Sequence, residues 1–266
     1  MVKKKVLITG AGSGLGKSAA IELARRGHTV YATTQYDNQV EPLKEIAIKE
    51  NILLKPFKLD VLIEEDRKLI LDYDIDVLIV NSAIGDSGSV SEIDISRIEK
   101  VFNTNIFGNL KLVQLALTKM IKINKKGRII FLSSLAGRIS IPFLSPYCAS
   151  KFALEAFATS LKEEMKLLPD TKIEIGIIEP GAYATGFNKE NYEKKYKWMR
   201  ENSYFIKIVD NLEKYETKIW NFIEVKSFKS IVKKYVKVVE KKKIKTRYTA
   251  KWWQSAFVQL ARICGM

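Results

Sequence analysis

One stretch near the start of the chain decides its fold: Lys3-Lys4-Lys5-Val6-Leu7-Ile8-Thr9-Gly10-Ala11-Gly12-Ser13-Gly14-Leu15-Gly16. Its first half is a short apolar run typical of a buried parallel strand, and apolar residues at helical spacing follow the glycines. A strand, a glycine turn and a helix in this order bind the pyrophosphate of a dinucleotide, because the backbone can approach the anion and the helix N-terminus offers free N–H groups. An isolated glycine triplet would indicate only a flexible turn, but these flanks favour a dinucleotide site. That predicted site includes Gly10, Ser13, Gly14, Leu15 and Gly16.

Strand and helix patterns alternate along the chain beyond this stretch. The predicted strands cover residues 3–9, 28–34, 52–59, 76–81, 128–133 and 172–178. The predicted helices cover residues 15–26, 41–50, 64–71, 106–122 and 148–167. This alternation predicts an α/β protein with a doubly wound parallel sheet, the Rossmann fold, and helices on both faces. Ligands of such sheets bind beyond the carboxyl ends of the strands, where the turn at 10–16, Asp60, Asn81, Ser134 and Pro180 fall.

Tyr147 and Lys151 are four residues apart in a predicted helix, so their side chains share one face. A free phenol has a pKa of about 10. Proton transfer near pH 7 would require a shift of about 3 units, which a nearby ammonium together with a bound cationic cofactor ring could supply. Such a pair occurs by chance on many helices, and the dinucleotide motif upstream is what makes it informative.

Six sequence elements together resemble the short-chain dehydrogenase/reductase family over residues 3 to about 185. The glycine turn is similar to the family's Thr-Gly-x-x-x-Gly-x-Gly. The other five are Asp60-Val61 after the third strand, Asn81-Ser82-Ala83 after the fourth, Asn105-Ile106-Phe107-Gly108, Ser134 with Tyr147-x-x-x-Lys151, and Pro180-Gly181-Ala182-Tyr183-Ala184-Thr185. All six occur in the family's order, so the resemblance is specific.

The resemblance implies hydride transfer between a nicotinamide cofactor and a carbonyl or secondary alcohol, with the catalytic residues Asn105, Ser134, Tyr147 and Lys151. Tyr147 would exchange a proton with the substrate oxygen, and Lys151 would lower the phenol pKa and hold the nicotinamide ribose. Ser134, rather than Ser133, would hydrogen-bond the substrate oxygen, and Asn105 would hold a water in a proton relay. The implied cofactor-binding residues are Gly10, Ser13, Gly14, Leu15, Gly16, Thr34, Gln35, Asp60, Val61, Asn81, Ala83, Tyr147, Lys151, Pro180, Gly181, Tyr183 and Thr185.

Three positions depart from the family pattern or bear on the choice of cofactor. Ile84 stands where the family has a glycine, and a branched residue resists positive φ, so a different loop shape is expected there. Thr34 occupies the place where NAD-specific relatives carry an acid, and Gln35 follows it. With no acid to repel a 2′-phosphate, NADP is favoured over NAD.

Composition restricts the function classes. The single histidine, His28, argues against zinc-dependent alcohol dehydrogenase chemistry and against a serine–histidine hydrolase, and no metal site is predicted. Two cysteines, Cys148 and Cys264, indicate no disulfide framework and fit a reducing cytoplasm. No apolar run approaches the roughly 20 residues of a membrane span.

The charge of +15 is uneven, since residues 186–266 hold 20 Lys and Arg against 8 Asp and Glu, a net of +12. A solvated lysine-rich face is the simplest interpretation. Contact with anionic lipid, which would make the protein membrane-associated, and an acidic substrate are the alternatives. No nucleic-acid recognition module is visible.

One domain covering residues 1–266 is predicted, with four C-terminal features. Residues 186–227 form a substrate lid by resemblance, residues 228–239 a helix, and residues 243–249 a possible last strand. The apolar and basic tail, 251–266, is interpreted as core or dimer packing, with an interfacial membrane helix as the alternative. The resemblance also implies a homodimer or homotetramer formed through helices 106–122 and 148–167.

The favoured function is therefore an oxidoreductase acting on a small-molecule carbonyl or alcohol. Residues 147–155 resemble relatives that act on hydroxysteroids, retinol and other apolar alcohols, which favours a hydrophobic substrate. Two alternatives are a non-catalytic NAD(P)-binding sensor or scaffold, against which the intact Ser134, Tyr147 and Lys151 argue, and a sugar-nucleotide epimerase, whose glycine spacing and longer C-terminal region differ.

Overall fold

The computed structural model of the protein describes residues 2–249 and 251–264. Its centre is one sheet of seven parallel strands in the order β3-β2-β1-β4-β5-β6-β7. The strands are β1 (Lys5–Ile8), β2 (Thr29–Thr34), β3 (Leu54–Lys58), β4 (Val77–Val80), β5 (Gly127–Leu132), β6 (Ile173–Glu179) and β7 (Arg247–Thr249). The predicted doubly wound Rossmann fold is thereby confirmed. The predicted domain 1–266 and tail 251–266 include residues 1, 250, 265 and 266, which lie outside the described ranges.

Ten α-helices surround the sheet in the described ranges. They are α1 (Gly14–Arg25), α2 (Glu41–Glu50), α3 (Glu64–Lys68), α4 (Ile95–Phe102), α5 (Asn109–Lys122), α6 (Ser145–Leu167), α7 (Phe187–Asn202), α8 (Val209–Ile223), α9 (Lys229–Glu240) and α10 (Trp252–Ile263). One buried cluster joins α1 and α9 to the first face of the sheet, and a second joins α5 and α6 to the other face. Because both faces are covered, the central strands are apolar on both sides.

The strand order reverses between β1 and β4, which are neighbours in the sheet although β2 and β3 separate them in sequence. At such a point the connections leave the sheet towards opposite faces, and a crevice opens at the carboxyl ends of the strands. The loops after β1, β4, β5 and β6 therefore meet at one edge of the molecule. These loops carry the residues singled out by the sequence patterns.

The predicted helix 106–122 differs most from the structure. Helical backbone already begins at Ile95, where Asp94 caps α4 by accepting from Ser96 N at 2.8 Å, and a π-helical segment, Asn103–Gly108, joins α4 to α5. Such bulges are frequent at functional sites. This one brings Gly108 against the loop after β3, where an added Cβ would lie 2.7 Å from Val61 O.

Candidate active site

A cavity of about 1150 Å³ occupies the carboxyl edge of the sheet. The glycine turn, the loops after β2 to β6, and helices α7, α8 and α10 all contribute to its wall. Its volume exceeds the usual range of a small-ligand pocket, about 300–1,000 Å³. The cavity therefore has space for a dinucleotide together with a second small molecule.

The glycine turn is held tightly against the end of β4. Gly10 has φ +63°, and a Cβ there would lie 2.8 Å from Ser82 Cα. A Cβ on Gly16 would lie 2.6 Å from Gly10 O. Only glycine fits these two positions, and α1 consequently begins directly beside the cavity.

Asn81 fixes this arrangement from β4. Its Nδ2 donates to Thr9 O at 2.8 Å and to Gly10 O at 3.1 Å, and its Oδ1 accepts from the Tyr235 hydroxyl at 2.8 Å. The sequence analysis placed Tyr235 only on an apolar helix face and missed this hydrogen bond. A buried tyrosine normally needs such a partner, which is the signal that could have revealed it.

Two asparagines shape the loop that carries Ser82 and Ile84. The Ser82 hydroxyl donates to Asn109 Oδ1 at 2.8 Å. Asn105 pairs with the backbone of Ile84, accepting from its N–H at 2.8 Å and donating to its carbonyl at 2.9 Å. Ile84 is not among the described non-glycine residues with positive φ, so the loop avoids the conformation that a branched residue resists.

The Asn105 amide does not line the cavity; Ser150 Oγ accepts its remaining N–H at 3.0 Å. The side chain is thus engaged by protein partners, and the water-holding role stays a prediction. The Asn105 carbonyl accepts a long bond, 3.3 Å, from Asn109 Nδ2. Asn105 therefore acts in this structure as a support for the loop after β4.

Beyond the glycine turn, the cavity is bordered by the loops after β2 and β3. Gln35, Asp60 and Val61 line it, and Gln35 Nε2 donates to Asp60 Oδ2 at 3.1 Å. Thr34 does not line it: its side chain is fully buried, and its hydroxyl donates to Tyr36 O at 3.0 Å. The two neighbours face opposite ways because side chains alternate along a strand, so only Gln35 is available to a ligand.

Tyr147 and Lys151 both face the cavity from α6, and Ser134 faces it from the loop after β5. Lys151 Nζ lies 5.6 Å from the centre of the Tyr147 ring and donates to Leu132 O at 2.8 Å. Ser134 Oγ accepts from Ala136 N at 3.1 Å, and the Ser134 hydroxyl acts to lower the pKa of the Tyr147 phenol. Ser133 is buried, and its Oγ has no partner among the described residues.

Burial shifts the pKa of both groups of the pair away from its usual value. Desolvation raises the pKa of Tyr147 to about 12, although the Ser134 contact opposes this rise. Desolvation lowers the pKa of Lys151 to about 8, and the Glu155 carboxylate opposes that change. Burial therefore sets the Tyr147 pKa in the described residues, and the lowering of that pKa by Lys151 together with a bound cationic cofactor ring stays a prediction. At neutral pH the phenol remains a proton donor.

The loop after β6 closes the cavity opposite Tyr147. Pro180, Gly181, Tyr183 and Thr185 all line it. A Cβ on Gly14 would touch the Thr185 side chain at 3.4 Å, so this loop reaches the glycine turn. The Tyr183 hydroxyl instead bonds Ser230 Oγ at 2.8 Å, within the core beside α9, which anchors the loop.

A buried ionic network lies directly behind these loops. Glu179, the last residue of β6, is fully buried and accepts two bonds from Arg138 at 2.8 and 2.7 Å. Arg247 of β7 donates to Glu179 at 2.7 Å and also to Glu155, one turn after Lys151. The network thus connects the segments that carry Ser134, Lys151 and Pro180. The sequence analysis missed it because its members come from four separate elements.

Replacing Arg138 by methionine is expected to lower the free energy of unfolding by about 3 kcal/mol, because it removes one partner of a buried ion pair. The fully buried Glu179 carboxylate would lose two hydrogen bonds and keep only Arg247. Denaturant unfolding measures this change. The double variant Arg138→Met/Glu179→Gln should regain part of the lost free energy of unfolding, because it removes the charge that Arg138 no longer balances. If the effects of the two substitutions simply added, the two residues would not be paired.

Aromatic side chains from α7 and from the loop after β5 form a further part of the wall. Phe187 of α7 packs against Tyr147 with ring centres 5.3 Å apart. Phe143 takes a left-handed backbone conformation, φ +60°, and packs edge-on against Phe205 at 5.2 Å. Lys195 of α7 pairs with Glu216 of α8 at 2.6 Å and so holds these two helices together. The sequence predicts a lid over residues 186–227 but could not reveal these contacts.

The structure gathers almost every sequence-predicted site residue at one cavity. Thr34 and Asn105 are the two whose side chains it places elsewhere. The residues present fit a dinucleotide, because the turn leaves room only for glycine at Gly10 and Gly16. Among the described residues, the buried Lys151 ammonium donates one hydrogen bond, to Leu132 O. Its other N–H groups can therefore bind a ligand.

Comparisons with known proteins agree with this geometry. Residues 4–196 match the family model described as short chain dehydrogenase. A probable short-chain type dehydrogenase/reductase of Helicobacter pylori is 30% identical over 249 residues, which covers 91% of this chain and 86% of the relative. The NADPH-dependent 1-acyldihydroxyacetone phosphate reductase of Saccharomyces cerevisiae is 36% identical over 175 residues, which covers 62% of this chain and 57% of the relative.

The fold also matches solved structures. A short-chain dehydrogenase/reductase from Burkholderia phymatum in complex with NAD superposes with a TM-score of 0.80 at 18% identity, covering 98% of this chain and 93% of the other. The family model spans most of the chain and the fold agrees over nearly its full length. The chain therefore belongs to the short-chain dehydrogenase/reductase family and is an oxidoreductase that acts on CH–OH groups with a nicotinamide cofactor.

Proposed function

We propose that the protein transfers a hydride between NADP and the carbonyl or secondary alcohol group of a hydrophobic small molecule, with Tyr147 as general acid and base. The observation that carries this proposal is the convergence of Tyr147, Lys151 and Ser134 on one cavity beside the glycine turn. When bound, the nicotinamide supplies or accepts the hydride. The protein residues orient the substrate and handle the proton.

In the reducing direction, hydride adds to the carbonyl carbon and the Tyr147 phenol gives its proton to the carbonyl oxygen. Ser134 donates a hydrogen bond to the same oxygen and stabilises the developing negative charge. The Lys151 ammonium, 5.6 Å from the ring centre, stabilises the resulting phenolate. The reverse sequence oxidises an alcohol, with the phenolate as the base.

The cavity wall supports a hydrophobic substrate. Around Tyr147, the wall is made by Phe187, Phe143 and other apolar residues of the loop after β5 and of α8. Apolar walls with few polar groups select ligands by buried area and use the polar groups to fix orientation. The yeast relative is named for a ketone that carries an acyl chain, which favours the same class of substrate here.

A panel of ketones and alcohols of increasing chain length tests this function. Oxidation of the reduced nicotinamide is followed by its ultraviolet absorbance with each cofactor. We expect turnover with several hydrophobic ketones and a KM that falls as the chain lengthens. Tight cofactor binding without turnover on any ketone would instead favour a sensor or scaffold.

The preference for NADP rests on the loop after β2. Gln35 and Gln39 of this loop line the cavity, and Asp37 does not. A 2′-phosphate next to Gln35 would meet an amide, whereas a carboxylate there would repel the phosphate and hold a ribose hydroxyl. The neutral side chain therefore supports NADP.

Gln35→Asp is expected to reverse this preference, lowering kcat/KM for NADPH by about tenfold relative to NADH, since about 1.4 kcal/mol of charge repulsion suffices for that change. Steady-state kinetics with both cofactors measures it. Asp37→Asn is the matched control, because Asp37 lies outside the cavity wall. A parent protein that already prefers NADH strongly would refute the NADP proposal.

We further propose a cytoplasmic homo-oligomer assembled through α5 and α6. The exposed apolar side chains Phe107, Phe152 and Phe157 lie on or beside these helices. Such residues, when clustered, indicate protein contacts. Light scattering of the parent protein and of Phe152→Ser/Phe157→Ser measures the assembly.

A further inference from the structure

Two helices of the cavity wall meet where one ends and the other begins. Gln254 of α10 donates through Nε2 to Ile223 O, the last residue of α8, at 3.0 Å. Ile219 and Phe222 of α8 line the cavity, and so do Trp253 and Phe257 of α10. The two helices, called the α8–α10 rim below, therefore form part of the passage between the cavity and the surroundings.

The outer side of the α8–α10 rim is apolar. Gln254, Val258 and Ala261 form the inner, buried face of α10. The opposite face should be polar in an ordinary surface helix. It carries instead a set of large exposed apolar side chains: Trp252 (81% exposed), Phe257 (63%), Leu260 (61%) and Ile263 (74%). On α8, Phe222 is 85% exposed.

Positive charge accompanies these side chains. Residues 251–264 contain Lys251 and Arg262 and no acidic residue. The end of α8 and the residues after it carry Lys218 and Lys226, and two carboxylates of the same segment are already engaged. Lys195 pairs with Glu216 at 2.6 Å, and Asn188 donates to Glu224 at 2.7 Å.

Exposed tryptophan and phenylalanine next to lysine and arginine form the composition that lies in the interface of an anionic bilayer. A second copy of this chain is a poorer occupant, because it would bring the same positive charges against the rim. No helix in residues 2–249 and 251–264 is long and apolar enough to cross a membrane, so the contact considered is peripheral.

We propose that the α8–α10 rim docks on an anionic lipid surface, and that a long-chain ketone or alcohol enters the cavity directly from the bilayer through this rim. The docking part stands on the exposed apolar face and its charge. The entry part rests on the proposed function, since it requires that hydrophobic ketones or alcohols react inside the cavity. The proposal explains why aromatic residues surround the mouth as well as line the interior.

Flotation with vesicles of phosphatidylcholine alone, or mixed with phosphatidylglycerol, tests the docking. The parent protein should float with the anionic vesicles and much less with the neutral ones. Trp252→Ser/Leu260→Ser/Ile263→Ser, which changes residues outside the cavity wall, should lower the partition coefficient at least about tenfold. The matched control, Ile48→Ser/Val90→Ser/Leu167→Ser, removes equally exposed apolar side chains elsewhere and should float like the parent.

Kinetics separate the route from the chemistry. A long-chain methyl ketone dissolved in anionic vesicles should be reduced about tenfold more slowly by the rim variant than by the parent, while both should reduce a short water-soluble ketone equally. If neither protein reduced either ketone while the parent still floated with anionic vesicles, the proposed function would be rejected and the docking would stand. Equal flotation of parent and rim variant, or a dimer that the rim substitutions dissociate, would overturn the docking proposal.

Discussion

Tyr147→Phe is expected to lower kcat about 10³-fold while leaving the Kd of the cofactor within a few-fold of the parent value. General acid–base groups contribute about 10²–10⁴-fold to rate, and this substitution removes only the hydroxyl that delivers the proton. The ring remains and keeps its contact with Phe187, so the cavity should retain its shape. Steady-state rates and cofactor fluorescence titration measure the two quantities.

Tyr204→Phe is the matched control, because Tyr204 is largely exposed and outside the cavity wall. It makes the same chemical change without touching the site and should turn over like the parent. If Tyr147→Phe kept turnover within tenfold of the parent, the proton would have to come from another group. Ser134→Ala would then be the next variant to measure.

Lys151→Met is expected to abolish turnover and, at the same time, to stabilise the protein at neutral pH. Burial lowers the pKa of Lys151 from 10.5 to about 8. The charged ammonium is therefore disfavoured in the folded protein by about 3 kcal/mol, since one pKa unit corresponds to about 1.4 kcal/mol. Methionine fills a similar volume without a charge, so the free energy of unfolding should rise.

The pH dependence provides a sharper test of Lys151→Met. Between about pH 8 and pH 10.5 the unfolded chain binds a proton at Lys151 that the folded chain has lost, so the stability of the parent protein rises with pH. The advantage of the methionine variant should therefore be complete below pH 8 and fade towards pH 10.5. Thermal unfolding across this range measures it.

Lys195→Met is the contrasting control, because Lys195 is also buried but pairs with Glu216 at 2.6 Å. Removing it leaves a partly buried carboxylate without its partner, which is destabilising. Opposite signs of the two changes at pH 7 are the expected result. A destabilised Lys151→Met would mean that its hydrogen bond to Leu132 outweighs the cost of burying the charge.

Short-range patterns were sufficient for the fold and for much of the candidate site. The glycine turn and the Tyr147–Lys151 pair each lie within a few residues of sequence, and the geometry of a turn or a helix determines their relative positions. The strands were correct to within about two residues at most ends. Helix α4 was missed altogether, and its join to α5 is a π-helical segment that packs on Val61, a contact between distant parts of the chain.

The directions of side chains at strand ends were harder to predict from the sequence. The sequence places Thr34 and Gln35 side by side, yet only Gln35 faces the cavity. Likewise, the Asn105 amide is taken by the backbone of Ile84 and by Ser150. Which hydrogen bonds a polar side chain makes depends on the neighbours that folding brings to it, so residue spacing alone could not reveal them.

Spacing along the chain was enough to predict a parallel sheet, a dinucleotide turn and a tyrosine–lysine pair at one edge, because local backbone geometry places these groups. Tertiary packing decided the rest: the Arg138–Glu179–Arg247–Glu155 network and the α8–α10 rim join segments far apart in sequence. Burial, which only the folded chain produces, raises the pKa of Tyr147 and lowers that of Lys151. The proton chemistry therefore depends on the surroundings of the pair as much as on its presence.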